Sequence, residues 1–169
     1  MQDVPVTAND RRTPRPVPGD RAALYAPFRP RLARAVALGL AVLVVVLTTA
    51  LLLALPAAAG ETYKPADRAG IGLVGLAIAW FCWRQASVRA AVDTTGVRVR
   101  NLMLSRELTW AEIVSVRFGE GRPWVQLDLA DGDTLAVMGI QRADGAFAIG
   151  EARRLATLVA LHTRTPRDD

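Results

Sequence analysis

Two long apolar stretches, a set of alternating segments and one amphipathic segment divide this chain in order. From Ala35 to Gly60 there is no charged residue, and the centre, Val42–Val46 and Leu51–Leu55, is almost wholly aliphatic. A helix rising about 1.5 Å per residue crosses the roughly 30 Å hydrocarbon core of a bilayer with about 20 residues, so this stretch is long enough. A core helix of a small soluble protein carries a polar stripe, whereas this stretch has only Thr48 and Thr49, whose hydroxyls can bond back to the preceding turn. The second apolar run, Ala69–Trp83, is shorter. It becomes an adequate span if Arg84 snorkels to the interface and Trp80, Phe81 and Trp83 form an aromatic belt. Gly70, Gly72 and Gly75 then suit a face packed closely on the first helix. The alternative is a re-entrant or interfacial segment. The pattern predicts a transmembrane hairpin over residues 29–84, with helices over about 33–57 and 67–84.

After Arg84 the period changes to two. Val88, Ala90 and Val92, then Val97 and Val99 after the turn Thr94-Thr95-Gly96, predict a hairpin with a one-sided core. Further strands are expected at Glu107–Trp110, Val114–Phe118, around Val125, Leu127 and Leu129, and at Leu135 and Val137, with Asp131-Gly132 as a tight turn. Ile149, Ala152, Ala156 and Val159 return at helical spacing, widened by Leu155, Leu158 and His162, with Asp144 as a cap or first-turn acid. Uninterrupted strands followed by one helix exclude a parallel α/β sheet, which needs helices between its strands. The expected fold is α+β, an antiparallel bent sheet or partly open barrel of about six or seven strands capped by a C-terminal helix, over residues 85–163. Residues 1–28 read as a disordered, basic, proline-rich tail and 164–169 as a second tail.

Charge adds orientation. Arg29, Arg31 and Arg34 precede the first span and Arg84 and Arg89 follow the second, while the connector carries Glu61, Lys64, Asp67 and Arg68. The positive-inside rule then puts both termini in the cytoplasm of a multi-pass protein of the cell membrane. Ala57-Ala58-Ala59 also has the look of a signal-peptide cleavage site, so an exported envelope or secreted protein cleaved near Ala59 is the rival reading. Arg11, Arg12, Arg15 and Arg21 are positioned to touch anionic headgroups. Cys82, the sole cysteine, permits no intramolecular disulfide and is expected as a small buried hydrophobe, with palmitoylation as the alternative.

Gly96-Val97-Arg98-Val99-Arg100-Asn101, Leu108-Thr109-Trp110-Ala111-Glu112-Ile113, Pro123-Trp124 and Ile140-Gln141-Arg142-Ala143-Asp144-Gly145 together resemble the actinobacterial pleckstrin-homology-like (PH-like) family named after a low-molecular-weight protein antigen. The resemblance covers roughly residues 29–163. It implies a bacterial PH domain behind membrane helices, that is, fold and membrane association, with no settled biochemical activity to carry over.

Candidate chemistry is sparse. The sole histidine, His162, has no nucleophile pattern around it. Asp128, Asp131 and Asp133 lack the alternating ligands and terminal glutamate of an EF-hand loop, and the glycines form no phosphate-cradling fingerprint. No catalytic, metal or cofactor site is therefore expected, nor a nucleic-acid platform, and a membrane-associated hydrolase or transferase using the aspartates is a remote alternative. The residues expected to contact lipid or a partner are Arg98, Arg100, Arg117 and Arg122, whose guanidinium groups suit phosphate, and Trp124, placed on the face opposite Val125 and Leu127. The reading at this level is a non-enzymatic, membrane-anchored adaptor. Its partners are the bilayer itself and either a membrane protein or anionic lipid headgroups.

Overall fold

A computed structural model describes residues 22–60, 63–119 and 121–163. Helix α1 (Arg31–Ala59) runs until Gly60, whose φ of 53° breaks the helical path. Helix α2 (Pro65–Ala86) starts on a proline, whose missing N–H is no loss in a first turn, and the Asp67 carboxylate accepts the Lys64 N–H at 2.9 Å. It extends past the apolar run at both ends, so its 22 residues reach about 33 Å. The helices form an antiparallel pair, and Gly75 meets Thr48 so closely that an added Cβ would overlap the threonine side chain. Of the three glycines expected at this contact, Gly70 and Gly72 face open space.

Only Ser87 and Val88 separate α2 from the first strand. Six strands follow: β1 (Arg89–Val92), β2 (Gly96–Arg100), β3 (Ser105–Thr109), β4 (Ile113–Arg117), β5 (Trp124–Leu129) and β6 (Thr134–Gln141). They form two three-stranded antiparallel sheets, β1-β2-β3 and β4-β5-β6, rather than one bent sheet or closed barrel. The break falls where β3 ends in a 3-10 turn at Trp110–Glu112, so Trp110, expected at a strand end, sits buried in that turn. Glu112 reaches back to the Thr109 N–H and hydroxyl, which satisfies the start of the turn. A β-bulge between Ile113 and Ser115 then buries Ile113 and leaves Val114 exposed.

The sheets are joined by specific contacts. Asn101, the buried polar residue among those described, donates from Nδ2 to the Ala136 carbonyl at 2.7 Å and accepts the Met138 N–H at 3.1 Å, tying the end of β2 to β6. Gly139 allows β6 to pass β1 and residue 28 so closely that a side chain there would press on the Ala90 N and the Phe28 carbonyl. Helix α3 (Ala146–His162) closes the core with Ala148, Ala152, Leu155, Leu158 and Val159. Its buried face is rotated from the expected one, because Ile149 and Ala156 point outward.

The tail expected over residues 1–28 falls only in part on described residues. Residues 1–21 and 164–169 lie outside the described residues, but residues 22–30 are docked. Phe28 is fully buried and exchanges backbone hydrogen bonds with Ala90 at 2.8 and 3.0 Å, extending the first sheet. Arg154 on α3 donates to the carbonyls of Ala23, Leu24 and Ala26, lies 3.9 Å over the Phe28 ring and pairs with Glu151. Asp144 does not cap α3. Its carboxylate accepts the Arg31 and Leu32 N–H groups at 2.9 and 2.8 Å, so the domain caps α1 instead.

Candidate functional site

The five residues expected to form a contact surface divide between the two sheets. Arg98 and Arg100 lie on the outer face of β2. Arg117 lies on β4, Trp124 opens β5, and Arg122 lies in the loop just before it. The second group is largely engaged within its own sheet. Arg117 pairs with Asp128, Arg122 donates to Gln126, and Trp124 is half-buried rather than the exposed marker expected from its parity.

The first group adjoins arginines that are not among those five. Arg89 on β1 is the direct antiparallel partner of Arg100, so two guanidinium groups stand opposite each other on one face. Like charges in that arrangement repel. Arg98, two pairs further along on the same face, is offset by Glu107 at 2.7 Å, but Arg89 and Arg100 have no carboxylate partner among the described residues. Two clefts flank this pair. One, of about 250 Å³, is lined by Arg29, Arg34, Trp83, Arg89 and Arg100, where the start of α1 and the end of α2 meet the sheet. The other, of about 440 Å³, adds Arg84, Arg98 and Ser105. Local sequence builds the arrangement simply: β1 follows α2 directly, and the hairpin returns β2 so that its last residue faces the first of β1.

The β2–β3 loop lies at the same end of the sheet. Met103 and Leu104 on it are 80% and 70% exposed, although flanked by the polar Asn101 and Ser105. The alternating pattern gives no hint of this loop, because its residues are apolar yet belong to no core face.

The acidic residues are engaged in turns. Thr95, through its hydroxyl and N–H, and the Gly96 N–H hold the Asp93 carboxyl below its ordinary range. Asp128 is lowered chiefly by the Ser115 hydroxyl, then by Arg117; Asp131 is lowered by the Asp133 N–H, then by Arg106. Arg106 lies between Asp131 and Asp133. Among the described residues no group of three or more histidine, cysteine, aspartate or glutamate side chains is arranged to hold a metal ion. His162 stacks on Trp110 with ring centroids 4.6 Å apart. Its Nδ1–H donates to the Leu158 carbonyl at 2.8 Å, which leaves Nε2 to accept from the Tyr25 hydroxyl at 3.1 Å. It is thus a packing residue that fastens the docked N-terminal segment to α3.

The helices show the reverse of the domain's burial. Leu53, Leu73, Leu76, Trp80 and Trp83 are each more than 60% exposed, and both helices are long and apolar enough to cross a membrane. Cys82 is buried.

Residues 87–157, which take in the two sheets and most of α3, match the family model of the bacterial PH domain. Uncharacterized proteins of Mycobacterium bovis and Mycobacterium tuberculosis are 34% identical to it over 101 residues, 60% of this chain. The aligned part spans 66% of those relatives, just under two thirds of their length. No solved structure matches the chain.

Proposed function

We propose that this protein is a membrane-anchored, non-enzymatic PH-like binding module, its hairpin in the cell membrane and its domain and both termini on the cytoplasmic side. One observation carries the reading: the leucines, valines and tryptophans of α1 and α2 face outward along nearly their whole length, and water is a costly environment for so large an apolar surface. Exposed area of this kind is worth about 25 cal/mol per Å² on transfer to an apolar medium. Arg29, Arg34, Arg84 and Arg89 cluster at the domain end of the helices, which supports the cytoplasmic assignment. Within the bacterial PH domains we place the chain with the membrane-helix type that its Trp-Ala-Glu-Ile and Ile-Gln-Arg-Ala-Asp-Gly strings resemble.

Packing argues against cleavage near Ala59. Such a cut would detach Phe28 and the α1 start from a core in which Phe28 is fully buried. The test is topology in intact cells, using a membrane-impermeant maleimide and single cysteines in a Cys82→Ala background. Lys64→Cys in the connector should label from outside and Asp93→Cys should label only after lysis. The reverse pattern, or both positions labelled on a carbonate-extractable protein, overturns the proposal.

A further inference from the structure

We infer that the arginine cleft at the junction of the sheet and the hairpin holds the phosphate of an anionic lipid headgroup, with Met103 and Leu104 seated in the bilayer interface beside it. The inference rests on the membrane reading above and deepens it by naming the ligand class and the residues.

Arg89 and Arg100 face each other across β1 and β2 with no acidic partner among the described residues, an arrangement that is unfavourable until an anion lies between or beside them. Arg29 and Arg34 line the cleft on one side of the pair and Arg84 the cleft on the other. The carboxylate that lines these clefts, Glu107, is already taken by Arg98. Guanidinium groups converging from different elements match the oxygens of a phosphate, to which each can present two parallel N–H donors.

Position selects the source of that phosphate. Arg34 and Arg84 stand at the border where the uncharged stretches end, which is the headgroup level of a bilayer spanned by α1 and α2. Trp83, in the same cleft, is of the type that settles at that level. The β2–β3 loop leaves the sheet at Arg100, on this same side, and offers its two most exposed apolar side chains there. A soluble phosphate needs no apolar neighbour; a lipid provides a use for both features at once. The Arg117 and Arg122 group, paired within its own sheet, serves as the internal control.

The full-length protein is to be reconstituted in nanodiscs of phosphatidylcholine with and without phosphatidylglycerol, and retained lipid counted by native mass spectrometry. The native chain should retain phosphatidylglycerol selectively. The double variant Arg89→Ala, Arg100→Ala should lose about thirtyfold in that preference, from about 1 kcal/mol for each arginine near an anionic surface. Arg117→Ala, Arg122→Ala should behave as native. Because the first double variant removes a repulsion, it should melt no lower than the native chain in phosphatidylcholine alone, so its lipid result is interpretable. Unchanged retention in that variant overturns the site, and equal retention of inorganic phosphate added to phosphatidylcholine discs overturns the lipid as its source. A fluorophore on Met103→Cys, in the Cys82→Ala background, should be quenched by lipids brominated near the glycerol end of their chains, and absence of quenching overturns the seating of the loop. A chain that does not float with liposomes defeats the membrane reading and this inference together; one that floats but shows no headgroup preference defeats this inference alone.

Discussion

The two-sheet domain and the helical pair use the same aliphatic residues in opposite ways. Leu127 and Leu155 in the domain are completely buried, while Leu53 and Leu73 in the helices are 70% and 66% exposed. In the domain, alternation sorts each strand into an inner and an outer face, so water on one side suffices to specify the fold. The helices instead leave most of their aliphatic side chains exposed, with few buried positions along either one. The difference teaches that hydrophobicity alone does not locate a core; its periodicity along each element does.

That contrast can be broken by substitution, and the largest effect belongs to the domain. Phe28→Ala should cost about 3–5 kcal/mol in thermal or denaturant unfolding of the detergent-solubilised chain. A loss near zero would return residues 22–28 to an undocked tail. Leu127→Ala should cost about 2–5 kcal/mol, whereas Leu53→Ala should stay within about 0.5 kcal/mol in the same detergent. Comparable losses at the two leucines would erase the distinction between inward and outward faces.

Smaller effects sharpen it. Asn101→Ala leaves the Ala136 carbonyl and the Met138 N–H without their partner, and should cost about 2 kcal/mol with the sheets loosened, seen as faster amide exchange at Met138. Asp144→Ala should cost about 1 kcal/mol by uncapping α1, a domain contribution to a helix that otherwise stands outside it. The smallest effect is pH-dependent. Asp93 is held below its ordinary value of 3.8 by Thr95 and Gly96, so its contribution is present above that value and fades as pH falls through the lowered folded-state one. The stability gap between the native chain and Asp93→Asn should therefore narrow on acidification in a melting series; a gap independent of pH would count against the turn.

Much of this architecture was legible in the sequence because it is periodic. Val88, Ala90, Val97 and Val99 announce the first hairpin, Asp131-Gly132 the turn between β5 and β6, and Ala35–Gly60 the first long helix. What escaped depends on closure between distant residues. Nothing near Asp144 says that its carboxylate serves Arg31, nor does anything near His162 say that it stacks on Trp110 and meets Tyr25. The candidate site was half legible: Arg98 and Arg100 could be read as an outward basic strand face. Their neighbours Arg29, Arg34, Arg84 and Arg89 were legible only as topology signals, since it takes the fold to bring them to the same clefts.

The junction has a mechanical consequence. The sheet is fastened to α1 through the Asp144 cap and to α2 through two residues, Ser87 and Val88, with no slack at either point. A body tethered once can swivel; one riveted at two places follows its mount. Any lean of the helical pair is therefore transmitted as a tilt of the arginine-bearing face.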